Sequence, residues 1–248
     1  MEGRAMANPQ SQSQCCENPP TLNPSSGHGS VVENLGGLKA YTAGSPESKL
    51  AVLLVSDVYG FEAPNLRKLA DKVAAAAGYF VVVPDFLHGD PYVPEKVPFP
   101  TWLQAHGAAK GFEEAKHIVE ALKSTGTSAI GAAGFCWGAK VVAELAKSED
   151  IKAAVMLHPS FVTVEDIKEI KVSLAVLGAE IDRTSPPSLL KEFEKILSTK
   201  SEVDSFVKIF PGVAHGWTVR YDVHDEAVVK SAEEAHQNML EWFSKYLK

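Results

Sequence analysis

The 248-residue chain has only three cysteines, two of them adjacent at Cys15 and Cys16, and nowhere a C-x-x-C or comparable close spacing of ligands. That scarcity excludes a disulfide scaffold and leaves no sequence sign of a metal centre, so neither a metal nor a cofactor is expected. Positive charge is also in short supply. Lys and Arg total 24 against 31 Asp and Glu, a formal net charge of −7, which leaves no electrostatic footprint for nucleic acid or an anionic membrane. No stretch reaches the ~18 uninterrupted apolar residues of a spanning helix, and the N-terminus MEGRAMANPQSQSQCCENPPTLNP lacks the apolar centre of a signal peptide. These absences favour a small-molecule substrate, no nucleic-acid or membrane partner, a monomer or weak homodimer, and a reducing cytoplasmic setting suited to free thiols. Residues 1–26 are rich in Pro, Ser, Asn and Gln and read as a disordered polar arm, with Cys15 and Cys16 in it given no ligand role. Residues 27–248 then form one domain.

What is present is an alternation of strand and helix signals. KLAVLLVSDVYG (Lys49 to Gly60) is a continuous apolar run ended by Ser, Asp and Gly, the pattern of a strand buried on both faces. LRKLADKVAAAAG (Leu66 to Gly78) places Leu66, Leu69, Ala70 and Val73 on one helical face, and YFVVVPDF (Tyr79 to Phe86) is the next strand. Further strands are expected at 129–135, 151–158, 172–178 and 205–210. Helices are expected near 112–124, after Gly138, after Ser185-Pro186-Pro187, and at the C-terminus with Ala235, Met239, Trp242, Phe243 and Tyr246 on one face. The order predicts an α/β fold with a doubly wound, mostly parallel sheet. The Pro-rich stretch from His88 to Gly107 is expected to be a long loop over the strand ends, where open α/β sheets bind ligands.

One decapeptide carries chemistry. GAAGFCWGAK spaces Gly134-x-Cys136-x-Gly138 between a strand and a helix, the G-x-S-x-G pattern with a thiol in the serine's place. A thiol attacks as thiolate, so it needs a base and a group to orient that base. Asp182 in GAEIDRTSPP and His215 in FPGVAHGW each follow a strand at the same sheet edge, in the order nucleophile, acid, histidine. The backbone N–H groups of Trp137 and Val58 are the expected oxyanion hole. Asp57, Tyr59, His158 and Trp217 adjoin these positions and are expected to line the pocket; His158 could equally be a satisfied structural histidine.

Five segments together resemble the dienelactone hydrolase (carboxymethylenebutenolidase) family, and within it the plant members: LLVSDVYGFEAPNLRKLADKVA, GYFVVVPDFLHGD, GFCWGA, GAEIDRTSPP and GVAHGW. The resemblance covers most of Leu53 to Leu247. It implies an α/β-hydrolase fold, a Cys136/His215/Asp182 triad and hydrolysis of esters or lactones without a cofactor. Two departures stand out against the bacterial-type members. Asp57 occupies the place of a glutamate that contacts the thiol, and the loop Leu87-His88-Gly89-Asp90 has no arginine, leaving Arg220 as the one match to their carboxylate-binding arginines. Asp57 is accordingly expected to restrain the thiol by like charge. A cysteine-dependent ester or lactone hydrolase is the resulting expectation. The rivals are a β-glucan glycoside hydrolase, a label some plant relatives carry, and a non-catalytic small-ligand binder on the same fold.

Overall fold

The computed structural model describes residues 14–248. The first half of the expected arm, residues 1–13, lies outside the described residues. Three residues of the arm differ from expectation. Gln14–Cys16 form a short 3-10 turn, and all three residues are buried against the domain. A segment with little apolar content docks because its two cysteines are small, apolar side chains that fit a packed site.

Among the described residues, eight strands make one sheet. They are β1 (Ser30–Leu35), β2 (Leu38–Ala43), β3 (Leu50–Val55), β4 (Phe80–Pro84), β5 (Ala129–Phe135), β6 (Ala153–Leu157), β7 (Ser173–Ile181) and β8 (Ser205–Ala214), in the spatial order β1-β2-β4-β3-β5-β6-β7-β8. From β4 to β8 every neighbouring pair is parallel, whereas β1 and β2 add an antiparallel edge. The period-2 alternation of a buried strand sends its side chains to two cores. In β3, Ala51, Leu53 and Val55 face one core and Val52 and Leu54 the other, all without exposed surface.

The helices of the described residues are α1 (Pro64–Ala77), α2 (Phe99–Ala105), α3 (Ala108–Ser124), α4 (Trp137–Leu145), α5 (Val164–Glu169), α6 (Pro187–Leu197) and α7 (Glu226–Tyr246). Ala115 of α3, Val141 of α4, Ile167 of α5 and Leu190 of α6 belong to the first core, and α1 and α7 fill the second with Leu66, Leu69, Met239 and Phe243. This is the expected doubly wound α/β-hydrolase architecture. Two elements depart from the sequence reading. The Pro-rich stretch 88–107 is not all loop, because Trp102 is buried and closes α2 against Tyr92 and Phe99. Strands β7 and β8 also run to Ile181 and Ala214, so Asp182 and His215 sit one residue beyond their strands rather than deep in loops.

Candidate active site

The turn between β5 and α4 holds Cys136 at φ 53°, ψ −111°, a conformation that L-residues adopt only when their surroundings impose it. The glycines two residues to either side are what leave room for it. A Cβ on Gly134 would lie 2.3 Å from the Gly138 carbonyl oxygen, and one on Gly138 would lie 2.3 Å from the Val55 oxygen and 2.5 Å from that of Ser56. Backbone cannot yield to such contacts, so the spacing is a steric requirement of the elbow. The result presents the thiol at the carboxyl end of the sheet, next to the first turn of α4, where amides lack intrahelical partners.

Three strand ends converge on that thiol. From the end of β7, Asp182 Oδ2 accepts a 2.7 Å hydrogen bond from Nδ1 of His215, which follows β8; both side chains are fully buried. Asp182 is itself held by the amides of Thr184 and Ser185, at 2.8 and 2.9 Å. With Nδ1 engaged, Nε2 of His215 faces Ser160 Oγ at 3.5 Å, and the same hydroxyl lies 3.3 Å from Cys136 Sγ. Cys136, Asp182 and His215, chosen from separate stretches of sequence, are therefore brought together, with Ser160 between the thiol and the imidazole. Burial lowers the basicity of His215, but the hydrogen bonds to Asp182 and Cys15 outweigh it and raise the imidazole above its ordinary value.

The fourth participant is Cys15. Its Sγ lies 3.0 Å from Ser160 Oγ and 3.9 Å from Thr184 Oγ1, and the reactive atoms of Cys15, Cys136 and His215 all lie within 4.8 Å of one another. Burial and then the Cys15 sulfur push the Cys136 thiol well above its usual range. Cys15 moves the opposite way, because the Cys136 thiol and the His215 ring hydrogen-bond to it more strongly than burial opposes its charge. Polar anchors seat this turn. Gln14 Nε2 donates to the Ile181 carbonyl at 2.8 Å, Tyr59 Oη donates to that of Cys16 at 2.7 Å, and Arg220 Nη1 donates to those of Cys15 and Glu17, both at 2.8 Å.

The remaining expected pocket residues are dispersed among several tasks. Asp57 does not touch the sulfur. Its Oδ2 lies 3.1 Å from Arg220 Nε as a charge contact without hydrogen-bond alignment, and its Oδ1 accepts from the Tyr59 amide at 2.9 Å. Burial raises its pKa in spite of Arg220. The shorter carboxylate thus reaches the guanidinium; its like charge still adds to the rise of the Cys136 thiol, in the expected direction, but less than burial and Cys15 do. His158 has no exposed surface; its Nε2 shares a 2.7 Å hydrogen bond with Thr218 Oγ1, and its ring packs edge-on to His215 and Trp217. It supports the imidazole from behind rather than lining a pocket. Trp137 is likewise buried, its Nε1 donating to the His106 carbonyl at 2.8 Å, and Val58 is fully covered. Tyr59 lines a depression of about 380 Å³ with Leu22, Phe61, Leu87 and His88, and Trp217 and Arg220 line one of about 280 Å³ beside His215. Cys15, Gln14 and Ser160 were missed from sequence. Only Ser160 left a signal, closing LHPS at the end of β6 on the same sheet edge.

Comparison with known proteins bears on the family and the fold. The family model described as the dienelactone hydrolase family matches residues 38–247. An endo-1,3;1,4-beta-D-glucanase of Zea mays is 46% identical over 199 residues, 78% of this chain and 65% of that protein; the chain thus covers just under two thirds of this relative. A carboxymethylenebutenolidase homolog of Xenopus tropicalis is 35% identical over 85% of this chain and 88% of its own length. The crystal structure of a dienelactone hydrolase from Anabaena variabilis superposes with a TM-score of 0.64 at 15% identity, over 89% of this chain and 98% of that one, a likeness of fold. A thiol elbow, a histidine held by a buried aspartate and a family match over most of the chain point the same way: the chain is a hydrolase and belongs to the dienelactone hydrolase family.

Proposed function

We propose that this protein hydrolyses small carboxylic esters or lactones, with Cys136 as nucleophile, His215 as general base and acid, and Asp182 as the group that orients the imidazole. The observation that carries this reading is the single line of contacts from Asp182 through His215 and Ser160 to a thiol held on a strained elbow. Nε2 of His215 takes the Cys136 proton, the thiolate adds to the carbonyl carbon, and the oxyanion is met by the N–H groups of Trp137 and Val58. The imidazolium returns its proton to the leaving alkoxide, giving a thioester. Water then adds to that thioester, losing a proton to His215, and the acid leaves as Cys136 recovers its hydrogen. Asp182 stabilises the imidazolium without itself becoming protonated.

Access is part of the cycle. Cys136 has no exposed surface while Cys15 sits against it, so the Gln14–Cys16 turn withdraws before a carbonyl can reach Sγ. Its hold on the domain is by the side chain to main chain anchors and the burial of two cysteines, together worth about 2–4 kcal/mol, so withdrawal costs less than unfolding. Three free thiols support a reducing, cytoplasmic setting.

Glycoside hydrolysis, the activity named for the maize relative, calls for two carboxyl groups flanking the sugar bond. Asp57 and Asp182, the candidates at this edge, are engaged by Arg220 and His215. The test is a panel of aryl esters, small lactones and mixed-linkage β-glucan with wild type and Cys136→Ala. Ester or lactone turnover that falls at least ~10³-fold in the variant is expected. β-Glucan cleavage that survives Cys136→Ala would replace this reading.

A further inference from the structure

We propose that Cys15, Cys136 and His215 form a binding site for a thiophilic, closed-shell divalent cation of the zinc class, with the N-terminal turn supplying one of the three ligands. Two sulfurs and one imidazole nitrogen, all within 4.8 Å of one another and all in buried residues, are a soft donor set that selects such an ion over a hard one. Zn–S and Zn–N bonds of ~2.3 and ~2.0–2.1 Å place the ligand atoms of a tetrahedron ~3.5–3.8 Å apart. The observed cluster meets that spacing with shifts of an ångström or less.

The surroundings are those of a built site. Asp182 fixes Nδ1 of His215 at 2.7 Å, so Nε2 is the nitrogen turned to the sulfurs, the carboxylate–histidine arrangement that orients metal-bound imidazoles. Ser160 Oγ lies 3.0, 3.3 and 3.5 Å from Cys15 Sγ, Cys136 Sγ and His215 Nε2, and so stands beside all three ligand atoms at once. Cys15 is delivered by Gln14, Tyr59 and Arg220, which grip the polar groups around it. Filling the space over Cys136 would take any small apolar side chain; these anchors instead aim a thiol at another thiol. Binding converts both thiols to thiolates with release of their protons, and two thiolates, a neutral imidazole and a dication sum to zero charge, which suits a buried site. Because the ion would occupy the sulfur and the nitrogen to which the proposed hydrolysis assigns its first proton transfer, bound metal would hold the enzyme inactive. That consequence rests on the catalytic reading, whereas the site itself does not.

The experiment uses the full chain, reduced with a non-thiol phosphine and kept under nitrogen, titrated with Co²⁺ as spectroscopic probe and then with Zn²⁺. The expected result is one equivalent of Co²⁺ giving thiolate-to-metal charge transfer and tetrahedral ligand-field bands, abolished by one equivalent of Zn²⁺. Cys15→Ser should weaken Zn²⁺ binding by at least ~100-fold and remove the Zn²⁺-dependent rise in melting temperature, while Cys16→Ser, a neighbour outside the ligand set, retains both. Absence of the bands in wild type, full-strength bands in Cys15→Ser, or equal loss in Cys16→Ser would overturn the site. Zinc binding with the expected ligand dependence but undiminished ester hydrolysis would leave the site standing and overturn the catalytic reading instead.

Discussion

At the scale of single residues, the site is organised by buried charges that satisfy one another. Arg220 has a fully buried guanidinium that lies against Asp57 and reaches the carbonyls of Cys15 and Glu17, so one side chain ties the loop after β3 to the N-terminal turn. Removing one member of a buried pair leaves the other uncompensated, at a cost of about 3–5 kcal/mol. Asp57→Asn is therefore expected to lower stability by about that amount in urea titration. Its effect on the alkylation rate of Cys136 should be small, because the like charge of Asp57 acts on that sulfur less than burial and Cys15 do and is opposed by Arg220. A stable variant with sharply faster alkylation would return Asp57 to the role of restraining the thiol. The same residues mark what the sequence makes legible. Cys136, Asp182 and His215 can be found because each follows a strand at one edge of a parallel sheet, and strand order follows from hydrophobic pattern. Cys15 cannot be found that way, since its importance lies in a contact made across nearly the whole chain from a segment whose composition resembles a disordered tail.

At the scale of elements, the N-terminal turn behaves as a docked piece rather than a tail. Cys15 and Cys16 are both essentially without exposed surface, and burying two such side chains with their anchors is worth about 2–4 kcal/mol. Removing residues 1–17 is thus expected to lower the melting temperature by about 5–10 °C, as read by calorimetry. It should also speed iodoacetamide modification of Cys136, then the sole remaining thiol. An unchanged melting temperature and an unchanged alkylation rate would show that the turn does not cover the site in solution. The elements missed in the sequence share a cause. The hairpin β1–β2 is half exposed and turns on Gly36 and Gly37, so it lacks the apolar run of the central strands, and α2 hides its buried Trp102 among prolines.

At the scale of the whole molecule, the sheet and its helices hold histidines whose neutrality is a condition of folding. His236 of α7 is fully buried, with Nε2 donating to the Thr218 carbonyl at 2.8 Å. Burial pulls its pKa down to about 4, the Thr218 bond opposing and Lys72 assisting. A folded pKa below the unfolded value means that its contribution is fully present above about pH 6.5 and is lost as pH falls toward about 4. Between pH 7 and 4.5 wild type should lose on the order of 2–3 kcal/mol through this residue alone. His236→Gln, which keeps a donor for Thr218, should show a pH dependence flatter by that amount in urea melts; an identical slope would place the acid sensitivity elsewhere.

The central claim is that Cys136 is the atom that becomes acylated, and the site holds two other candidates, Cys15 and Ser160, within a few ångströms of it. The most direct measurement is mass spectrometry of the intact chain quenched in acid during turnover of a slowly deacylating aryl ester, followed by peptide mapping of the adduct. One acyl group on the peptide containing Cys136, absent from Cys136→Ala and accumulating in His215→Gln no faster than in wild type, is the predicted result. An acyl group on Cys15 or Ser160 that persists in Cys136→Ala would contradict the account.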